Sequence, residues 1–216
     1  MTLTYDEAMA ALEAAGTEQT RKTYLRHGAS EPLFGVKFGD LRPLGKKIGT
    51  DQALAEQLWA SGNADARLLA CMVADPAEVS EAELDAWLED IDNYFLVDVF
   101  VAEIASRTPG RLARAERWIA SDRDRTAQAG WDLMNYVALS DEEVPDDFFE
   151  AQLAIIAGRI EDYGNWTRRS ASNTITGIGL RNDDLEAAAR KTAAEMGEVE
   201  FDPGQTSCVM PDPIEY

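Results

Sequence analysis

The sequence predicts an all-α chain built from repeated helix pairs. Three observations lead there. Apolar residues recur at three- and four-residue spacing, and no run sustains the two-residue alternation of a strand. Gly and Pro fall at helix ends rather than at hairpin spacing. Trp59, Trp87 and Trp118 stand 28 and 31 residues apart, and each is followed by a polar break and a more apolar segment, which is how a repeat announces itself.

Taken in order, Thr4 and Glu7 form a capping box before the apolar face Met9, Leu12 and Ala15, and Gly16 closes the helix. Thr17 opens a short helix that ends at His27-Gly28. After a loop over 29–39, Asp40 is the expected cap of a helix through Ile48, with Pro43 in its first turn. Thr50 is the expected cap of a helix over 51–60. The helix pairs follow. Leu58-Trp59 precedes Arg67–Ala74, Trp87-Leu88 precedes a helix beginning after Asn93 and running to Ala105, Trp118-Ile119 precedes Gln128–Asn135, and Arg159-Ile160 precedes Arg169–Gly179. A last helix spans Asp183–Met196. Beyond it, prolines and a Pro203-Gly204 turn signal exclude helix, and Val199–Phe201 suits a short strand.

Two helices per unit describe a HEAT-like helical-repeat solenoid, with units shorter than the usual length of about 40 residues. Such units stack to bury their apolar faces, so one domain is expected over 1–196, with an irregular tail over 197–216 packed on the last repeat. Arg67, Asp98 and Gln128 stand 31 and 30 residues apart. Stacking would set them, with Arg169, in a column across neighbouring helices.

Composition narrows the function. Twenty basic residues face forty acidic ones, so the average surface repels nucleic acid and anionic lipid, although an acidic, Lys-poor surface also suits a saline habitat or solubility. The charge is uneven. Seven basic residues fall between Arg21 and Lys47 and six between Arg107 and Arg125, while Leu68–Ser106 holds ten acids and no base. No long apolar run suggests a membrane span, and no N-terminal signal is expected. Cys71 and Cys208 fit free thiols in a reducing cytoplasm better than a disulfide framework. One histidine, two cysteines and no HExxH or CxxC argue against a metal site, and the chain lacks Walker A, GxGxxG and GxSxG patterns. No cofactor is expected.

Asp98 stands out because it interrupts an apolar run, Leu96-Val97 before it and Val99-Phe100-Val101 after. A lone carboxylate there must be paired, solvated or used. On a helical wheel it lies at the edge of the face shared by Tyr94, Val97, Val101 and Ile104. Two readings stay open: a desolvated carboxylate that stabilises a cation beside Tyr94, or an ion pair with Arg67 or a later arginine. His27, at a helix C-terminus, reads as a dipole cap rather than a catalyst. The recurring Trp59, Trp87 and Trp118 read as core. Trp131 and Trp166 lie on the second helices, where they can face a groove.

Four segments, Pro32–Lys37 with Leu41-Arg42, Leu54–Trp59, Ala66–Ala70 and Asn93–Asp98, resemble the DNA alkylation repair enzymes with HEAT-like repeats, and Gln205–Asp212 is similar to a tail in one branch of that family. The resemblance implies a glycosylase that excises positively charged alkylated purines without fully flipping the base. It implies that Asp98 is catalytic, stabilising an oxocarbenium-like sugar and helping to position water. Tyr94 matches a family tryptophan, Asn173 falls near a second groove tryptophan, and Gln128 near an arginine that holds the DNA backbone. Nucleic-acid contacts are then expected from Tyr94, Arg67, Gln128, Trp131, Arg168, Arg169 and Asn173, with Arg123, Arg125, Lys46 and Lys47 as further phosphate contacts. The implied partner is damaged double-stranded DNA, bound by a monomer. The alternative is a non-catalytic solenoid that binds a protein or a basic ligand, as the net charge of -20 favours.

Overall fold

The computed structural model describes residues 3–205 and 210. They contain twelve α-helices and no strand, a HEAT-like stacking of helix pairs. The chain divides into two compact units, 1–109 and 110–216.

The first unit holds α1 (Tyr5–Ala15), α2 (Glu18–Arg26), α3 (Phe38–Ile48), α4 (Gln52–Ala60), α5 (Ala64–Val73), α6 (Glu81–Asp90) and α7 (Tyr94–Phe100). The capping box on α1 is complete: the Glu7 N–H donates to Thr4 Oγ1, and the Thr4 N–H donates to Glu7 Oε2 at 2.8 Å. Two caps differ from expectation. Lys37, not Asp40, precedes α3, and its carbonyl accepts the N–H groups of Asp40 and Leu41 at 2.8 and 3.2 Å. The preceding loop already fixes the chain there, so the helix starts without a side-chain cap. Pro43 therefore lies inside α3 rather than in its first turn. Asp51, not Thr50, caps α4 by accepting the Leu54 N–H at 3.0 Å.

That loop is held by Asp65, which lies in the first turn of α5 and is fully buried. Its Oδ2 accepts the N–H groups of Phe34 and Gly35 at 2.6 and 2.9 Å, and Oδ1 accepts that of Val36 at 2.8 Å. The loop carbonyls are matched as well. Those of Pro32 and Gly35 accept the Ala64 and Thr17 N–H groups, and that of Val36 accepts the Tyr24 hydroxyl at 2.8 Å. Burial, and then the Asp65 charge, push the Tyr24 pKa up to about 12, so the hydroxyl keeps the proton it donates. Gly35 has φ +79°, and a Cβ on it would collide with the backbone of Thr17 and Arg21.

The core of this unit is built around α5, which packs on α3, α4 and α7. Trp59 and Trp87 stack with centroids 4.2 Å apart and planes 6° from parallel. Cys71 is buried on α5, and burial pushes its thiol pKa well above the ordinary range. The expected single helix from Asn93 to Ala105 changes form partway. α7 ends at Phe100, and Val101–Ala105 makes a π-helical turn closed by the Ser106 N–H on the Val101 carbonyl at 2.9 Å.

The second unit holds α8 (Arg111–Ile119), α9 (Asp124–Ser140), α10 (Asp146–Arg159), α11 (Asn165–Gly179) and α12 (Asp183–Met196), with a 3-10 turn over Ile160–Asp162. α9 packs on α8 and α11, and α12 on α10 and α11. Gly130 permits the α8–α9 approach, because a Cβ there would meet the Ile119 and Trp118 backbone. The segment 199–201 forms no strand. It runs along the start of α11: Phe201 meets Trp166 edge-on at 5.1 Å, and the Asp202 N–H donates to Asn165 Oδ1 at 2.8 Å. Cys208 and most of Gln205–Asp212 lie outside the described residues.

Candidate functional site

Asn93 starts α7 by accepting the Leu96 N–H on its side-chain oxygen at 3.0 Å. This sets Tyr94 and Asp98 one turn apart. Leu96, Val97, Val99 and Phe100 are all buried around Asp98, which is itself half-buried. Tyr94 is only 6% exposed, so it offers no open ring face for stacking. Its hydroxyl is hydrogen-bonded to Nδ1 of His27, and the two rings stack with centroids 5.9 Å apart. His27 is the C-cap residue of α2, at the helix end where its sequence position puts it, and its imidazole makes this tertiary contact as well.

Burial first, and the neighbouring Arg26 charge second, lower the His27 pKa from 6.5. The unfolded chain thus binds this proton more readily than the folded one, so His27 favours folding above the unfolded pKa. That contribution is lost as pH falls below 6.5. Because this is the only histidine, an NMR titration should resolve one imidazole with a midpoint below 6.5. A midpoint at or above that value would contradict the placement.

Arg67 does not pair with Asp98. Its guanidinium donates to the Asp90 carbonyl and carboxylate at 3.0 and 3.3 Å and to the Trp59 carbonyl at 3.4 Å. It also lies 5.2 Å from the Trp59 ring. Its side chain is 18% exposed, which leaves little of it for a ligand. A second acidic centre follows Asp98 on the π-helical turn. Glu103 holds Arg42 of α3 on Oε1 at 3.4 Å and Arg107 on Oε2 at 2.9 Å.

In the second unit, Gln128 and Trp131 of α9 are fully buried. Gln128 Oε1 accepts from Arg125 at 2.9 Å. Trp131 packs on Tyr163 at 6.1 Å and so does not face a groove. Arg168 donates to the carbonyls of Tyr163 and Glu161 at 2.9 and 2.7 Å and reaches that of Glu200 at 3.5 Å, fastening the tail to α11. Arg169 lies 5.6 Å from the half-buried Trp166 ring, and Asn173 is half-buried further along α11. Trp131 and Arg168 converge on Tyr163; Arg169 stands on the Trp166 side of the helix start.

Sequence reasoning missed Asp65, the His27–Tyr94 contact and the Glu103 pair of arginines. It also counted Arg114 within a basic cluster, yet Arg114 is 1% exposed beneath the surface of α8. Among the described residues no group of three or more His, Cys, Asp and Glu side chains is placed to hold a metal ion. No described helix is long and apolar enough to cross a membrane.

A family model described as "DNA alkylation repair enzyme" matches residues 8–198. An uncharacterized protein of Listeria innocua serovar 6a is 28% identical over 99% of this chain and 96% of its own length. One of Listeria monocytogenes serovar 1/2a is 27% identical with the same coverage. A solved structure superimposes with a TM-score of 0.89 at 30% identity, over 99% of this chain and 92% of that one. It is described as a member of "a new family of proteins related to the HEAT-like repeat DNA glycosylases with affinity for branched DNA structures".

Proposed function

The chain belongs to the DNA alkylation repair enzyme family, and from that premise we propose that it is a DNA-binding protein that recognises branched DNA. One observation carries the reading: the near-complete structural match to a protein described as having affinity for branched DNA. The site geometry supports recognition through backbone and shape rather than through stacked bases. Tyr94 and Trp131, two of the aromatics at the expected groove positions, are enclosed by protein, and the third, Trp166, is half-buried with its ring against Phe201. With those two rings enclosed, binding rests mainly on phosphate contacts, which are sequence-independent and salt-sensitive.

The test is fluorescence anisotropy with a four-way DNA junction and a linear duplex of equal length. The junction should bind more tightly, and log K should fall linearly with log salt. Failure to bind either DNA at low salt defeats the reading and favours a protein or basic ligand, as the net charge of -20 would suit.

A second reading is carried by the half-buried Asp98 among apolar neighbours on α7. In it, Asp98 stabilises the sugar cation formed as a cationic N-alkylpurine departs. The C1′–N9 bond breaks with its electron pair going to the base, which leaves neutral. Water adds to C1′ and gives its proton to solvent. Release of 7-methylguanine from alkylated DNA should then fall by about 10²–10³ in Asp98→Asn, as when an electrostatic stabiliser of the transition state is lost. No release by the wild-type protein leaves the binding reading alone.

A further inference from the structure

The charge distribution singles out one stretch of the first unit. Across residues 18–50 seven basic residues meet three acidic ones, in a chain whose net charge is -20. Those residues include α2, the Asp65-pinned loop and α3, and α2 and α3 are both tied to α7: Tyr24 and Phe38 pack on Phe95 at 5.9 and 5.4 Å. On α3, Arg42 and Lys46 lie one turn apart on the exposed side, with Lys47 beside them. Arg107 joins them through Glu103.

That junction has an unusual balance of exposure. The Glu103 side chain is 14% exposed, whereas Arg42 and Arg107 are 62% and 58% exposed. One mostly buried carboxylate therefore holds two outward guanidiniums near each other, one on each oxygen. Arg42 is further ordered by the Phe38 ring at 5.0 Å. Each arginine keeps planar donors that Glu103 does not use, and such forks match phosphate oxygens. Elsewhere the structure spends guanidiniums internally, as with Arg67, Arg168 and Arg181.

We propose that Arg42 and Arg107, aligned by Glu103 and extended by Lys46 and Lys47, form a phosphodiester clamp on which DNA is held. The proposal rests on the DNA-binding reading and names the surface that carries it. Glu103 sets the spacing of the pair and lowers the net charge of the clamp, so it positions the arginines at some expense of affinity.

Anisotropy titrations of the four-way junction across a salt series test this with three proteins: wild type, Arg42→Gln/Arg107→Gln and Glu103→Gln. The double variant should bind about tenfold more weakly, and its salt slope should shrink by about two contacts' worth. Glu103→Gln keeps the side-chain shape and removes one negative charge, so it should bind more tightly than wild type. A gain cannot come from misfolding. Wild-type affinity and slope in the double variant, or weaker binding by Glu103→Gln, overturns the clamp while leaving DNA binding intact. A wild-type protein that binds no DNA overturns both.

Discussion

Asp65→Ala should lower the unfolding free energy by about 3–5 kcal/mol, a size reached when several buried donors lose their acceptor together. The three N–H groups of Phe34, Gly35 and Val36 all point at one carboxylate that solvent does not reach. Alanine leaves them no partner, and each buried unsatisfied group costs about 1–3 kcal/mol unless the loop opens to water. Opening has its own cost. It would detach the Gly35 carbonyl from Thr17 and the Val36 carbonyl from Tyr24, loosening α2 and the start of α3. Asp65→Asn should be milder, because one amide oxygen still accepts while the NH2 group faces a donor. Urea unfolding followed by tryptophan fluorescence measures both. An Asp65→Ala protein with the wild-type midpoint would show that the loop is held by something else.

Trp59→Ala should cost a similar amount, about 3–5 kcal/mol, since a large buried ring leaves a cavity that only partly collapses. Trp59 is 4% exposed and lies between the Trp87 ring and the Arg67 guanidinium. Its Nε1–H donates to Asp90 Oδ2 at 3.0 Å, the same oxygen that receives Arg67. Alanine would remove the filling between two helices and one of the ties on Asp90. Trp59→Phe separates these effects. It keeps a ring against Trp87 and loses the indole donor, so its cost should fall to about 1–2 kcal/mol. If the two variants melt together, the stack contributes little beyond the hydrogen bond.

The helices were legible because their signals are local. Thr4 with Glu7 caps its helix as the sequence suggests, a helix does begin after Asn93, and the last helix has the expected bounds Asp183–Met196, set in the structure by Asn182 and Gly197 on either side. The α3 start was misjudged by three residues because the preceding loop fixes the chain without a side-chain cap, and the α4 start by one because Asp51 rather than its neighbour Thr50 supplies the cap. Asp65 was illegible for a deeper reason. In sequence it is an ordinary acid in a helix first turn, and its partners lie about 30 residues earlier. Only the folded arrangement makes it an anchor.

The same separation of local from tertiary information governs the site. Periodicity placed Tyr94, Asp98 and Trp131 on inner helices, but a wheel does not say which side of an inner helix meets another helix. Tyr94 and Trp131 turned out to be enclosed. The segment Pro32–Lys37, which carries much of the family resemblance, is now explained by its hydrogen bonds to Asp65, Thr17, Tyr24 and α5. Its residues are there to build the fold, so they identify the family without identifying a chemistry.

Cys71 gives the first unit a reporter of its own motion. Its thiol stays protonated in the closed protein, and only the thiolate reacts readily with electrophiles. In a Cys208→Ser background, the labelling rate at Cys71 would follow the small population of molecules in which α5 has opened. Such a clock reads fluctuations of the native ensemble at equilibrium, without denaturant. It would show whether bound DNA slows the breathing of the helices beneath the arginine clamp.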